Sequence, residues 1–131
     1  MFSDEARPTL ELRLLPDVFA VCRLDPSAEP PAAPARGFHS VTRTDAELSV
    51  ICVEAAAPRD AVVERGWRGL QVAGPLDFGL TGVAAALTAP LAAAGVSVLP
   101  LATFDTDYLF VRASSLADAV DALEVFGHTV S

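Results

Sequence analysis

The sequence predicts an α+β protein of two tandem ferredoxin-like (βαββαβ) units, the first degenerate, with antiparallel sheets and helices on one face. Three observations carry this expectation. In the second half, apolar runs of strand and helix type follow the order strand, helix, strand, strand, helix, strand. In the first half, a proline-rich segment separates two pairs of strand-like runs. Finally, Thr42–Val50 (TRTDAELSV) overlays Thr103–Val111 (TFDTDYLFV) with threonine, leucine and valine in register, and LPDVF at Leu15 returns at a similar displacement as GPLDF at Gly74.

Taken in order, TLELRLLPDVFAVCRL alternates apolar and polar residues around a Pro-Asp pair, which predicts two short antiparallel strands. Asp25 to Gly37 (DPSAEPPAAPARG) has no apolar period and reads as a surface loop. FHSVTRTDAELSVICVE predicts two strands about a turn at Thr44 to Glu47. After a weak region at Ala55 to Gly66, WRGLQVAG reads as a half-buried strand that opens with Trp67.

Leu80, Val83, Leu87 and Leu91 then recur at helical spacing, and Gly95 stands where a helix C-terminus favours a left-handed residue. Pro90 lies inside this helix and cannot donate to the carbonyl of Ala86, which predicts a bend. VSVLPLATF and DYLFVRA follow as an antiparallel pair. Ser114 to Gly127 is the clearest helix, with Ser115 and Asp118 at capping-box spacing, one apolar face and a closing glycine. HTVS is left as an edge strand.

The 131 residues suffice for one domain, or for two very small units sharing a core. With 52% hydrophobic and 20% charged residues, the chain is globular rather than disordered. The net charge is −8, and all nine basic residues are arginine. Without lysine there is no Gly-Lys phosphate loop, pyridoxal Schiff base or lysine nucleophile. The acidic balance also disfavours nucleic acid, whose binding rests on neutralising phosphates.

Phe78 to Phe104 carries no charge, yet its prolines, its Gly95 and its flanking Asp77 and Asp105 predict a buried helix and strand rather than a membrane span. Cys22 and Cys52 sit in strand-like runs and read as small core hydrophobes. The N-terminus has early acids and no apolar core, so a cytoplasmic protein is expected.

The candidate chemistry centres on GPLDFGLTG, Gly74 to Gly82. Its glycines permit close backbone approach, and free amides at the following helix start favour a carboxylate. A plain strand-to-helix turn explains the same glycines. Asp105 and Asp107 occupy alternate positions of an extended chain and could receive an ammonium, a guanidinium or a divalent cation, or could be solvated turn residues. As a general acid/base pair Asp105 and Asp107 have little support, because no nucleophile, base or third group stands at a recognisable spacing. His39 and His128 are isolated, belong to no Cys/His cluster and read as surface or strand-edge residues. Trp67 reads as a core or dimer-interface anchor.

The stretch from GWRGLQVAGPLDFGLTG to TFDTDYLFVRASSLADAVDAL, with APLAAAGVSVLPLATFDTDYLFV as its most specific part, resembles ACT domains. Within them it is similar to the aspartate-kinase-like subgroup of the cytosolic arginine sensor (CASTOR) and small bacterial stand-alone proteins. The resemblance implies a degenerate ACT-like unit over 9–66 and an ACT unit over 67–131. It also implies no catalysis, no cofactor, no metal, and a homodimer holding an amino acid between paired units. Ser97 and Val98 would meet its head group, and Gly74, Leu76, Asp77 and Phe78 would form the enclosing loop. Thr103, Phe104, Asp105 and Asp107 would surround the side chain, with Asp107 placed for a cationic end. Loss of that ligand would leave a dimeric scaffold for a protein partner. GPLDFGLTG differs from the vertebrate sensor's loop in length and composition, so arginine specificity does not follow.

Overall fold

The computed structural model describes residues 8–74 and 82–131. Among the described residues, seven strands, two α-helices and two 3-10 turns run in the order β1 (Glu11–Leu24), β2 (Ser40–Arg43), β3 (Leu48–Val53), a 3-10 turn (Glu54–Ala56), β4 (Val62–Val72), α1 (Val83–Ala93), β5 (Val98–Ala102), β6 (Asp107–Arg112), a 3-10 turn (Ala113–Ser115), α2 (Leu116–Val125) and β7 (Thr129–Val130).

The chain forms two compact units, one of residues up to Pro16 together with Arg68–Ser131, the other of Asp17–Trp67. The segment around β1's start, expected with the N-terminal unit, therefore clusters with the C-terminal one. β1 and β4 each contribute residues to both units.

The expected pair of short strands before Leu24 is a single strand of 14 residues that continues through Pro16 and Asp17. Proline's fixed φ is compatible with extended backbone, so Pro-Asp need not reverse the chain. β4 is likewise longer than expected, starting five residues before Trp67 at Val62.

In the unit of residues 17–67, the strand order is β2-β3-β1-β4, with β1 antiparallel to β3 (Cys22↔Val50) and β2 antiparallel to β3 (Arg43↔Leu48). It contains no α-helix. Ala20, Cys22, Leu24, Leu48, Val50 and Cys52 form its core, and Phe19 meets Phe38 edge-on at 6.1 Å. Both cysteines are free and buried, as their apolar runs predict. Burial, followed by the neighbouring Cys52 thiol, pushes the Cys22 thiol up to about 11.

In the other unit the strand order is β7-β1-β4-β6-β5. The run β4-α1-β5-β6-α2-β7 reproduces the expected βαββαβ sequence, but β7 pairs parallel with β1 (Glu11↔Thr129, Leu12↔Val130), which takes the place beside β4. Leu12, Leu70, Val72, Leu109 and Val111 from the strands pack against Val83, Leu87, Leu91, Ala119 and Leu123 from the helices. Both helices end in Schellman motifs: Val96 N–H donates to Leu91 O and His128 N–H to Leu123 O, with Gly95 at φ 74° and Gly127 at φ 109°.

Two expectations change here. Ser115 makes no side-chain cap, because the 3-10 turn before α2 leads straight into the helix with Ser115 already near ψ 1°, not extended. His128 is no surface residue but is 2% exposed. Its Nδ1 accepts from Leu10 N–H at 3.0 Å and its Nε2 lies 2.7 Å from Ala86 O. With Leu10 as donor, the proton sits on Nε2, so the ring donates to the carbonyl that Pro90 leaves without its helical partner.

Candidate functional site

Of the expected site residues, Leu76, Asp77 and Phe78 lie outside the described residues. Gly74, Thr103, Phe104, Asp105 and Asp107 fall around the end of β4 and the β5–β6 turn, whereas Ser97 and Val98 lie at the other end of β5. Gly74 follows the end of β4, where Ala73 N–H donates to Glu11 O at 2.8 Å. A Cβ on Gly74 would stand 3.0 Å from Thr106 Cβ and 3.2 Å from Asp105 O. This residue thus lets the backbone press against the β5–β6 turn, a close approach within the chain itself.

That turn is tightly built. Thr103 N–H donates to Thr106 O at 2.9 Å, Thr103 Oγ1 donates to the same oxygen at 3.0 Å, and Thr106 N–H donates back to Thr103 Oγ1 at 3.4 Å. Thr106, not singled out by the sequence, anchors the turn to β4: it is 6% exposed and its hydroxyl donates to Val72 O at 2.7 Å. The T-x-x-T spacing of a closed turn was the signal that could have found it.

Asp105 and Asp107 do not share one face of a strand, as alternation in an extended chain implies. Asp105 lies in the bend and is exposed, whereas Asp107 opens β6 opposite Ala102 and is half-buried. Asp107 borders a cavity of about 270 Å³ between α1 (Ala84, Leu87, Thr88) and the strand residues Pro100 to Ala102. Phe104 at the turn is 79% exposed.

Ser97 is exposed directly before β5, and Val98 is half-buried against the helix-side core, paired with Val111. β5 closes the strand order and has β6 as its strand neighbour among the described residues. The structure therefore brings Gly74, Thr103 and Asp105 together and sets Asp107 over a neighbouring cavity, with Ser97 and Val98 at the far end of the edge strand.

Chemically, this end of the unit offers an exposed backbone, hydroxyls and two carboxylates. No group of three or more metal-ligating side chains occurs among the described residues. No helix among them is long and apolar enough to cross a membrane.

A family model described as an ACT domain matches residues 62–125, and a second, for an N-terminal domain, matches 17–60. A solved protein of Agrobacterium tumefaciens is similar at 36% identity, covering 95% of this chain and 93% of that one, with a TM-score of 0.88. A Vibrio cholerae protein of unknown function, described as a possible transport protein, is 18% identical over 90% of each chain with a TM-score of 0.68.

The ligand-free regulatory subunit of aspartate kinase from Thermus thermophilus is 11% identical, covering 88% of this chain and 96% of that one, with a TM-score of 0.60. At those identities the last two show likeness of fold alone. A comparison with curated proteins finds no match. The chain therefore belongs to one family with the Agrobacterium protein, and its residues 62–125 are an ACT domain on an α+β fold like that of an aspartate-kinase regulatory subunit.

Proposed function

We propose that this chain is a non-enzymatic, cytoplasmic regulatory module that binds an amino acid at a seam between the ACT domains of two copies of the chain. The observation that carries this reading is the contact of the Gly74 backbone with the Thr103–Thr106 turn, beside the half-buried Asp107. A free main chain opposite carboxylates suits a zwitterion, whose two ends need donors and acceptors at once.

In this reading Ser97 and Val98 meet the head group, and Gly74, Leu76, Asp77 and Phe78 enclose it. Thr103, Phe104, Asp105 and Asp107 surround the side chain, with Asp107 receiving a cationic end. The outer edge of β5 is where the second copy adds. Pro100 interrupts the row of backbone donors along β5, so side chains such as the exposed Phe104 share the seam. The buried free thiols of Cys22 and Cys52 suit a reducing compartment.

The reading extends to 17–67 as a degenerate ACT-like unit, giving the tandem arrangement of the aspartate-kinase-like, CASTOR-type proteins. Support comes from a repeated hairpin. Thr44 closes the β2–β3 turn by donating its N–H to Glu47 O at 2.9 Å and accepting from Glu47 N–H at 3.2 Å, the same pattern that Thr103 makes with Thr106. Thr44 thus corresponds to Thr103, two residues out of step with the sequence overlay of Thr42 on Thr103.

The test is a thermal-shift screen with the twenty amino acids, alongside sedimentation. A cognate effector at about 100 times its Kd stabilises the fold by roughly 2.7 kcal/mol, and Asp107→Asn reduces that shift. Absence of any shift, together with a monomer by sedimentation, overturns the proposal. A dimer that responds to no amino acid leaves the second reading, a scaffold for a protein partner.

A further inference from the structure

The C-terminal halves of α1 and α2 leave between them a groove of about 790 Å³ on the helix-covered side of the ACT domain. Pro90, Ala93 and Ala94 form its α1 side, while Ala122 and Phe126 form the α2 side. None of these side chains can donate or accept a hydrogen bond, and the alanines keep both helix surfaces low enough to admit a partner's side chains. Val125, on the lip, is 90% exposed.

The rest of the rim is acidic. Asp118 and Asp121 border the groove, three residues apart on the same stripe of α2 as Ala122 and Val125. Neither carboxylate has an intramolecular partner among the described residues. Glu124 follows one turn on, α1 carries no charge, and Arg112 at the end of β6 is the single cationic residue between Val83 and Ser131. Among the described residues no cation lines the groove, so its potential is negative over an apolar floor.

We infer that this groove docks a basic amphipathic helix from another protein, apolar residues entering between α1 and α2 and lysines or arginines pairing with Asp118 and Asp121. A second copy of this chain is a poor occupant: a two-fold pairing through the groove sets Asp118 and Asp121 against like charges, and the chain as a whole carries −8. A free amino acid is equally unsuited, because the groove offers carboxylates but no donor for a carboxylate group. The inference is independent of the effector reading, since it uses neither Gly74 nor the β5–β6 turn.

The probe is a labelled amphipathic peptide of leucine and lysine at helical spacing, titrated with the full chain and followed by anisotropy. A leucine–glutamate peptide of the same pattern is the counter-probe. Saturable binding of the first and none of the second is expected, with affinity falling about tenfold in Asp118→Lys/Asp121→Lys.

Asp45→Lys/Asp60→Lys makes the same change in net charge away from the groove, and leaves affinity within about twofold of the parent. Ala93→Gln and Val125→Ser weaken binding without changing charge, which keeps the test open if the double reversal does not fold. Absence of binding by the leucine–lysine peptide overturns the inference. So does equal binding of both peptides, or an equal loss in the two double reversals.

Discussion

His128→Phe isolates a hydrogen-bonded bridge that joins α1, the start of β1 and the approach to β7. Phenylalanine keeps a ring of similar size in the buried site but removes both ring nitrogens. Ala86 O then loses its donor at 2.7 Å and Leu10 N–H its acceptor at 3.0 Å. An unsatisfied buried polar group costs about 1–3 kcal/mol, and Leu10 is only partly buried, so the two losses together come to about 2–4 kcal/mol. With a urea slope of about 2 kcal/mol/M, the unfolding midpoint falls by about 1–2 M.

The decisive arm is a double-mutant cycle with Pro90→Ala. Alanine restores an N–H four residues after Ala86, so in that background His128→Phe strands Leu10 alone and its cost drops by about 1–2 kcal/mol. Urea unfolding of the four proteins, followed by circular dichroism, measures the coupling. Equal costs in the two backgrounds, within about 0.5 kcal/mol, would refute the idea that the imidazole stands in for the proline's missing donor.

Gly74→Ala places a methyl group 3.0 Å from Thr106 Cβ and 3.2 Å from Asp105 O, so the turn must give way. The expected cost is about 1–3 kcal/mol by thermal unfolding, with loss of any amino-acid shift. Cys22 titrates near 11 in the folded state, because burial and the Cys52 thiol disfavour its thiolate, and burial raises Cys52 too. The stability held by the neutral Cys22 thiol is fully present below the ordinary value of 9.0 and is lost as pH rises through about 11, and Cys52 acts in the same direction. Urea midpoints measured at rising alkaline pH should therefore fall less steeply in Cys22→Ala/Cys52→Ala than in the parent.

Local signals carried much of the fold. Gly95 and Gly127 marked both helix ends because only a left-handed residue completes the Schellman hydrogen bonds there. The β2–β3 and β5–β6 hairpins showed as successive strand-like apolar runs, the first pair about a turn at Thr44 to Glu47. What stayed hidden depended on distant partners. Nothing near Pro16 tells that its strand continues, since that is settled by pairing to β3 and β7.

His128 looked isolated because both its partners, Leu10 and Ala86, are main-chain groups that leave no residue-type signature. The proline at 90 announced an orphaned carbonyl but not its remedy. At the candidate site, the glycine at 74 marked a place where the backbone packs closely but not that its neighbour is the β5–β6 turn, and the separation of Asp105 from Asp107 required knowing where the turn ends and β6 begins.

The parallel pairing of β7 with β1 joins positions as far apart as Leu10 and His128, 118 residues along the chain. A ribosome makes the two ends of that seam at very different times. Residues 17–67 form a continuous stretch whose strand partners are all present once β4 begins, so they can settle early. The ACT-bearing unit must instead hold residues 8–16 unpartnered on one side until residues 128–131 have emerged, a non-local closure that is slow by nature. Synthesis thus leaves an interval in which β1 presents an open flank to chaperones or to neighbouring nascent chains.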